Sequence, residues 1–253
     1  MRRVIVTRPA AQAASWLDRL AARGIEAVAV PLIEIGAAPD AVAVRAAWAG
    51  LPARRLVVFV SANAVLQFFA ARPGAAEWPM PLLAAAPGPG TAEALRAEGI
   101  ASTSIVEPAA DAPQLDSEAL WERLSAHEWR GARVLVVRGD GGRDWLAERL
   151  AEAGAEVETV AAYIRLVPRP SAETRRRIEA AFADPAGHVW LFSSSEAIAN
   201  LELVAGPARA RGSCAIATHP RIAARARQAG FTTVREVAPG FDAVLDCIQS
   251  MQP

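Results

Sequence analysis

The chain contains no lysine; all 27 of its basic residues are arginine. That excludes a Schiff-base mechanism, which needs an amine nucleophile. It also excludes the phosphate-binding lysine of a P-loop. Cysteine is scarce: Cys214 and Cys247 stand in mostly apolar contexts, match no metal-ligand spacing and read as ordinary core thiols of a reducing compartment. The three histidines, His127, His188 and His219, are scattered. There is one tyrosine, Tyr163. Net charge is also missing, since 27 acidic residues balance the arginines. No global field therefore draws nucleic acid or an anionic membrane, and any anion site must be local. No apolar run reaches the length of a membrane span. Val4–Val6 is too short for a signal-peptide core, so a cytoplasmic protein is expected.

What is present is a repeat. Val134–Val137 is a short β-branched run that suits a buried parallel strand. The turn 138–143 follows it, and then Leu146, Arg149, Leu150 and Ala153 at helical spacing. Gly154 is a helix stop, and the strand Glu156–Ala161 delivers Tyr163. Shifted back by about 130 residues, Val4 meets Val134, Arg8 meets Arg138, Gly24 meets Gly154 and Ile33 meets Tyr163. Further on, Val57–Asn63 resembles Val189–Ser195, and Pro89 meets Pro220. The chain is two related halves.

Each half reads as five strand–helix units. Expected strands are Arg3–Val6, Glu26–Val30, Leu56–Val60, Leu82–Ala85 and Ser102–Val106, then Arg133–Val137, Glu156–Ala161, His188–Phe192, Ser213–Ala217 and Thr232–Val237. The helix after the sixth strand is expected over Gly142–Ala153. Alternating apolar strands and amphipathic helices specify parallel sheets covered on both faces. Five strands per half suit flavodoxin-like, doubly wound sheets, whose ligands bind beyond the strands' C-terminal ends. Two extended, proline-bounded connectors, 31–36 and 164–168, occupy equivalent places in the halves.

The strand ends carry small polar residues and glycine. Thr7-Arg8 and Arg138-Gly139 follow the first strand of each half, Ser61-Ala62-Asn63 and Ser193-Ser194-Ser195 the third, and Gly88-Pro89-Gly90-Thr91 and Thr218-His219 the fourth. Helix N-capping alone accounts for any one of these. Six together, two with arginine, point to a surface of N–H donors and helix dipoles that binds carboxylates or phosphates. No GxGxxG or GxSxG pattern accompanies them. Arg8 and Arg138 stand open to two readings, structural ion pairs or a shared anion-facing role.

In order and spacing, Val-Thr-Arg-Pro at 6–9, Phe-Val-Ser-Ala-Asn-Ala-Val at 59–65, Gly-Pro-Gly-Thr-Ala at 88–92, Val-Arg-Gly-Asp-Gly-Gly-Arg at 137–143, Phe-Ser-Ser at 192–194 and Ala-Thr-His-Pro-Arg-Ile-Ala at 217–223 resemble the uroporphyrinogen-III synthase family. Pro87 departs from its pattern, which tends to place a β-branched residue before Gly88. The resemblance implies two flavodoxin-like domains joined by a two-stranded linker with the active-site cleft between them. One would comprise residues 1–35 plus 167–253 and the other the inserted 36–166. It implies cofactor-free cyclisation of hydroxymethylbilane to uroporphyrinogen III, with inversion of ring D and loss of water. It further implies a monomer with no nucleic-acid or membrane partner, supplied by transient channelling from the preceding enzyme. Tyr163 is then the expected acid, with Thr218 or His219 behind it, and Arg8, Ser61, Asn63, Gly88, Gly90, Thr91, Arg138, Gly139, Ser193, Ser194 and Ser195 are expected to hold substrate. A non-catalytic module that binds a polycarboxylate is the alternative from another class.

Overall fold

The computed structural model describes residues 2–251 apart from 75, 110, 111, 113 and 208. In chain order its elements begin β1 (Arg3–Val6), α1 (Ala10–Ala21), β2 (Ala27–Ala29), β3 (Glu34–Gly36), α2 (Ala41–Ala49), β4 (Leu56–Phe59) and α3 (Ala62–Ala70). They continue β5 (Leu83–Ala85), α4 (Pro89–Ala97), β6 (Ile105–Val106), α5 (Ser117–Leu124), β7 (Arg133–Gly139), α6 (Trp145–Glu152) and β8 (Glu156–Leu166). The last are α7 (Ala172–Ala183), β9 (His188–Phe192), α8 (Ser195–Ala205), β10 (Cys214–Ala217), α9 (Pro220–Gln228), β11 (Thr233–Glu236) and α10 (Phe241–Ser250). None of the described helices is long and apolar enough to cross a membrane.

The chain divides into two compact units, residues 1–34 with 166–253 and residues 35–165. In the first unit the strand order is β2-β1-β9-β10-β11, with all four strand pairs parallel. Numbered within the unit this is 2-1-3-4-5, the flavodoxin order. Val4, Val6, Val189, Leu191 and Ile216 share a core with Trp16 and Leu20 of α1 and Phe241, Val244 and Ile248 of α10. The buried residues of α10 recur at i, i+3, i+4 and i+7, one helical stripe. The alternate strand residues serve the other layer. There Phe182 of α7 stacks on Trp190 at 5.1 Å, and Phe231 meets Phe192 edge-on at 5.3 Å.

In the second unit the order is β3-β8-β7-β4-β5-β6. Period-two alternation sorts its strands cleanly. Val57, Phe59, Leu135 and Val137 pack with α2, α3 and α4, whereas Leu56, Val58, Val134 and Val136 pack with α5 and α6. Trp48 is the anchor of the first layer. Its indole nitrogen donates to the Phe68 carbonyl at 2.7 Å, and its ring stacks on Phe68 at 4.7 Å.

Several boundaries differ from expectation, and the first connector carries an unexpected edge strand, β3, so the second sheet has six strands rather than five. β8 runs on through Tyr163 to Leu166 rather than ending at Ala161, so residues 164–166 of the second connector are strand. α6 begins at Trp145, not Gly142, because Gly141 and Gly142 take positive φ (77° and 118°) that no helix residue adopts. The strand expected over Ser102–Val106 opens as a 3-10 turn at Ser102–Ser104, leaving only Ile105–Val106 paired.

Replacing Trp48 by alanine removes the stacked ring and one of the two donors to the Phe68 carbonyl, which keeps the Ala71 N–H. We expect a loss of about 3–5 kcal/mol, the usual cost of deleting a large buried aromatic, read as a lower urea midpoint for the transition that exposes this layer.

Candidate active site at the strand ends

In a doubly wound sheet the crevice opens where consecutive helices leave for opposite faces. In the second unit that point lies between β7 and β4: α6 covers one face and α3 the other. Three of the expected residues meet there. Ser61 follows β4 and caps α3, its hydroxyl accepting from the Ala64 N–H at 3.2 Å. Gly139 ends β7. Tyr163 comes from β8, on the far side of β7, and its hydroxyl lies 3.0 Å from the Ser61 hydroxyl.

The tyrosine reaches Ser61 by passing over β7. Gly139 makes this passage possible: a Cβ there would lie 2.8 Å from the Tyr163 Cζ and 3.1 Å from its hydroxyl. The register supplies the aim. Arg138 pairs with Ala161 but Gly139 pairs with Tyr163, so Ala162 is skipped. Bulges of this kind redirect a side chain. Here consecutive residues Ala162 and Tyr163 both enter the α2–α3–α4 core. The Asp140 N–H then closes the turn by donating to the Tyr163 carbonyl at 2.8 Å. Tyr163 is 1% exposed, whereas Ser61 is half-buried.

The other expected residues of this unit line the same edge. Asn63 is the second residue of α3. Gly88 caps α4 in extended backbone and Thr91 is buried in its first turn. An added Cβ at Gly90 would meet nothing within 4 Å, so that turn presents bare backbone outward. Arg138 forms an ion pair with Asp144 across the glycine turn, its own side chain 13% exposed and that of Asp144 57%. The structural alternative raised by the sequence therefore applies to Arg138.

In the first unit the equivalent crevice lies between β1 and β9. Thr7, absent from the expected binding set, is buried there and donates its hydroxyl to the Leu191 carbonyl at 2.7 Å. Arg8 follows it, its guanidinium 4.4 Å above the Trp16 ring. Ser193 comes directly after β9, Ser194 caps α8 by accepting from the Glu196 N–H at 3.2 Å, and Ser195 opens that helix. Thr218 is buried beside them, its N–H donating to the Phe192 carbonyl at 3.2 Å. His219 caps α9: its Nδ1 accepts from the Arg221 N–H at 3.1 Å, which puts the ring proton on Nε2. Thr218 and His219 thus belong to the first unit and Tyr163 to the second.

The arrangement offers several helix N-termini per unit for anions and one phenol–serine pair for proton transfer. Asp144 was missed by sequence reasoning, although an acid six residues after Arg138 in a glycine turn was the available signal.

Two solved structures share the fold: uroporphyrinogen-III synthetase from Helicobacter pylori, with a TM-score of 0.62, 16% identity and all of both chains covered, and a mutant uroporphyrinogen III synthase from Thermus thermophilus, with a TM-score of 0.57, 17% identity and 99% and 98% covered. A uroporphyrinogen-III synthase from Salmonella typhimurium is 34% identical over 167 residues, a match spanning 64% of this chain and 64% of that relative's own length. The model of the family described as uroporphyrinogen-III synthase HemD matches residues 14–245, a span that takes in the crevice of the second unit and the turns after β9 and β10. The chain belongs to the uroporphyrinogen-III synthase family.

Proposed function

We propose that this protein cyclises hydroxymethylbilane to uroporphyrinogen III, inverting ring D and releasing water. The observation that carries the proposal is the family match across residues 14–245. A non-catalytic polycarboxylate-binding module is not favoured by that membership. Feeding enzymatically made hydroxymethylbilane to the purified chain and separating the product isomers tests it: predominantly isomer III is expected, and only the spontaneous isomer I would refute it.

The chemistry suits the residues. The substrate is flexible and bears eight carboxylates. The N-termini of α3, α4, α8 and α9 supply N–H donors and positive dipole ends for such groups. The pyrrole nitrogen of the substrate expels the hydroxymethyl oxygen, and an acid protonates that oxygen as the C–O bond breaks. The substituted carbon of ring D then attacks the azafulvene, and the spiro intermediate fragments and recloses, releasing a proton. Because uncatalysed closure gives isomer I, most of the enzyme's task is orientation. Tyr163 is the group we assign to proton donation. Its support is the position at the β7/β4 crevice and a hydroxyl held by a partner rather than by bulk solvent. The same reading makes the protein a cytoplasmic monomer that receives its substrate by transient transfer from the preceding enzyme.

Tyr163→Phe keeps the ring over Gly139 and removes one oxygen. Folding is expected to be nearly unchanged while kcat falls about a hundredfold or less, the low end for general-acid help, with the residual product still mainly isomer III. Turnover by a folded phenylalanine variant at the normal rate would leave Tyr163 a packing residue.

Arg8→Ala and Arg138→Ala are expected to raise KM more than they lower kcat, the sign of lost uniform binding. The Arg138–Asp144 pair sharpens this. Asp144 competes with substrate carboxylates for the guanidinium, and a half-exposed pair is worth about 0.2–1 kcal/mol. Asp144→Asn is therefore expected to lower KM by up to about fivefold. Initial-rate measurements at fixed ionic strength check both directions, and a higher KM for Asp144→Asn would mean that the pair shapes the turn instead.

A further inference from the structure

The phenol nominated as the acid is almost wholly buried, whereas its hydrogen-bond partner is half-buried. We propose that Ser61 and Tyr163 act as one two-hydroxyl unit, with the Ser61 hydroxyl the member that meets the departing oxygen and Gly139 the residue that lets Tyr163 stand behind it. The proposal rests on the assignment of Tyr163 to proton donation and changes which atom touches substrate.

Three observations carry it. The hydroxyls are 3.0 Å apart, a direct hydrogen bond. The Ser61 oxygen also accepts from the Ala64 N–H at 3.2 Å, which fixes the serine rotamer at the α3 N-terminus. A hydroxyl has two acceptor lone pairs and one donor proton. With the Ala64 N–H and the Tyr163 O–H as its two donors, Ser61 keeps its own proton to give outward. Tyr163 has no such freedom on its own. Its ring is clamped by Gly139 on one side and lies in the same core as Phe59 and Phe68.

Protons balance without a co-reactant. As the substrate C–O bond breaks, the leaving oxygen takes the proton of Ser61 Oγ and departs as water. Ser61 Oγ takes the Tyr163 proton in the same motion. After the spiro intermediate fragments, the final bond forms at the unsubstituted α-carbon of ring D, whose hydrogen leaves as a proton as the pyrrole rearomatises, and this restores the phenol. Ser61 is then a catalytic residue, because it touches the reacting oxygen, and Gly139 is a positioning residue.

The test uses the intact chain with five substitution sets. Glycine at an N-cap costs only a few tenths of a kcal/mol relative to serine, so Ser61→Gly removes the hydroxyl with little harm to α3. Its kcat is expected to fall to within about threefold of that of Tyr163→Phe, with KM changed by less than twofold and isomer III still dominant. Ser61→Thr, which restores a hydroxyl, is expected to recover most of the loss. In the double variant Ser61→Gly/Tyr163→Phe, kcat is expected to be no lower than in the worse single variant, whereas independent contributions would multiply. Gly139→Ala forces the ring back by more than half an ångström and is expected to match Tyr163→Phe in kcat.

A second readout does not depend on turnover. Tyr163 is the only tyrosine in the chain, so protein carrying ¹³Cζ-labelled tyrosine gives one phenol resonance. Ser61→Gly and Gly139→Ala are each expected to move it, and Ser61→Thr to return it towards its original position. If Tyr163→Phe is slow but Ser61→Gly turns over normally, Tyr163 meets the substrate directly and the relay is wrong while the acid assignment stands. If both turn over normally, the acid assignment itself has failed. Multiplicative loss in the double variant, or an unmoved resonance in Ser61→Gly, also overturns the two-hydroxyl unit.

Discussion

Two strand pairings hold this architecture together, β1 with β9 and β7 with β4. Each joins strands from different halves of the internal repeat. The first half contributes β1 and β2 to one sheet but β3, β4, β5 and β6 to the other; the second half contributes β7 and β8 to one and β9, β10 and β11 to the other. With β3 set aside as an added edge strand and β7 and β8 taken as its first two strands, the second sheet repeats the order 2-1-3-4-5. Both sheets therefore obtain their switch point from a contact that neither half makes alone. The burial of Val4, Val6, Val189 and Leu191 in one core, and of Val57, Phe59, Leu135 and Val137 in another, is the hydrophobic term behind these pairings.

Much of this was legible in the residues. β-branched runs marked the strands, and Ser61 and Ser194 marked helix starts, each accepting from a backbone N–H of the helix it begins. Gly154 stops α6 with φ of 93°, as its position after the last apolar residue required. What failed did so for local reasons. Alternation in β8 breaks at the skipped residue Ala162, so the pattern looked finished while the strand continued. The start of α6 was masked because Gly141 and Gly142 can be read as helix or turn until their φ signs are known. The partners of the candidate site residues were less legible still. Nothing in the spacing from Ser61 to Tyr163 shows that their hydroxyls touch, since that contact depends on the sheet order and on an empty place above Gly139.

The repeat is symmetric in backbone and asymmetric in chemistry. At the positions equivalent to Tyr163, Gly139 and Ser61, the first unit has Ile33, Pro9 and Ser193. Ile33 is buried and carries no hydroxyl, and Pro9 caps α1. Only one of the two crevices thus holds a phenol. The other spends its buried hydroxyl, that of Thr7, on tying β1 to the Leu191 carbonyl. Duplication supplied two rims of helix N-termini, and the phenol–serine pair stands in one of them.

The interleaving also fixes an order of assembly. Residues 35–165 are continuous and can complete their sheet as soon as they are made, whereas Arg3 in β1 waits for His188 in β9. Synthesis runs from the N-terminus at about 5–20 residues per second. β1 therefore finds its central neighbour β9 only after the whole of the inserted unit has been made. For that interval Val4-Ile5-Val6 can pair with β2 but keeps the edge that β9 takes open, and an open apolar edge is the kind of feature that seeds aggregation. Arg2 and Arg3 precede it and Arg8 follows within two residues. Flanking charges act as gatekeepers against intermolecular pairing, so these arginines guard the open edge of a nascent chain.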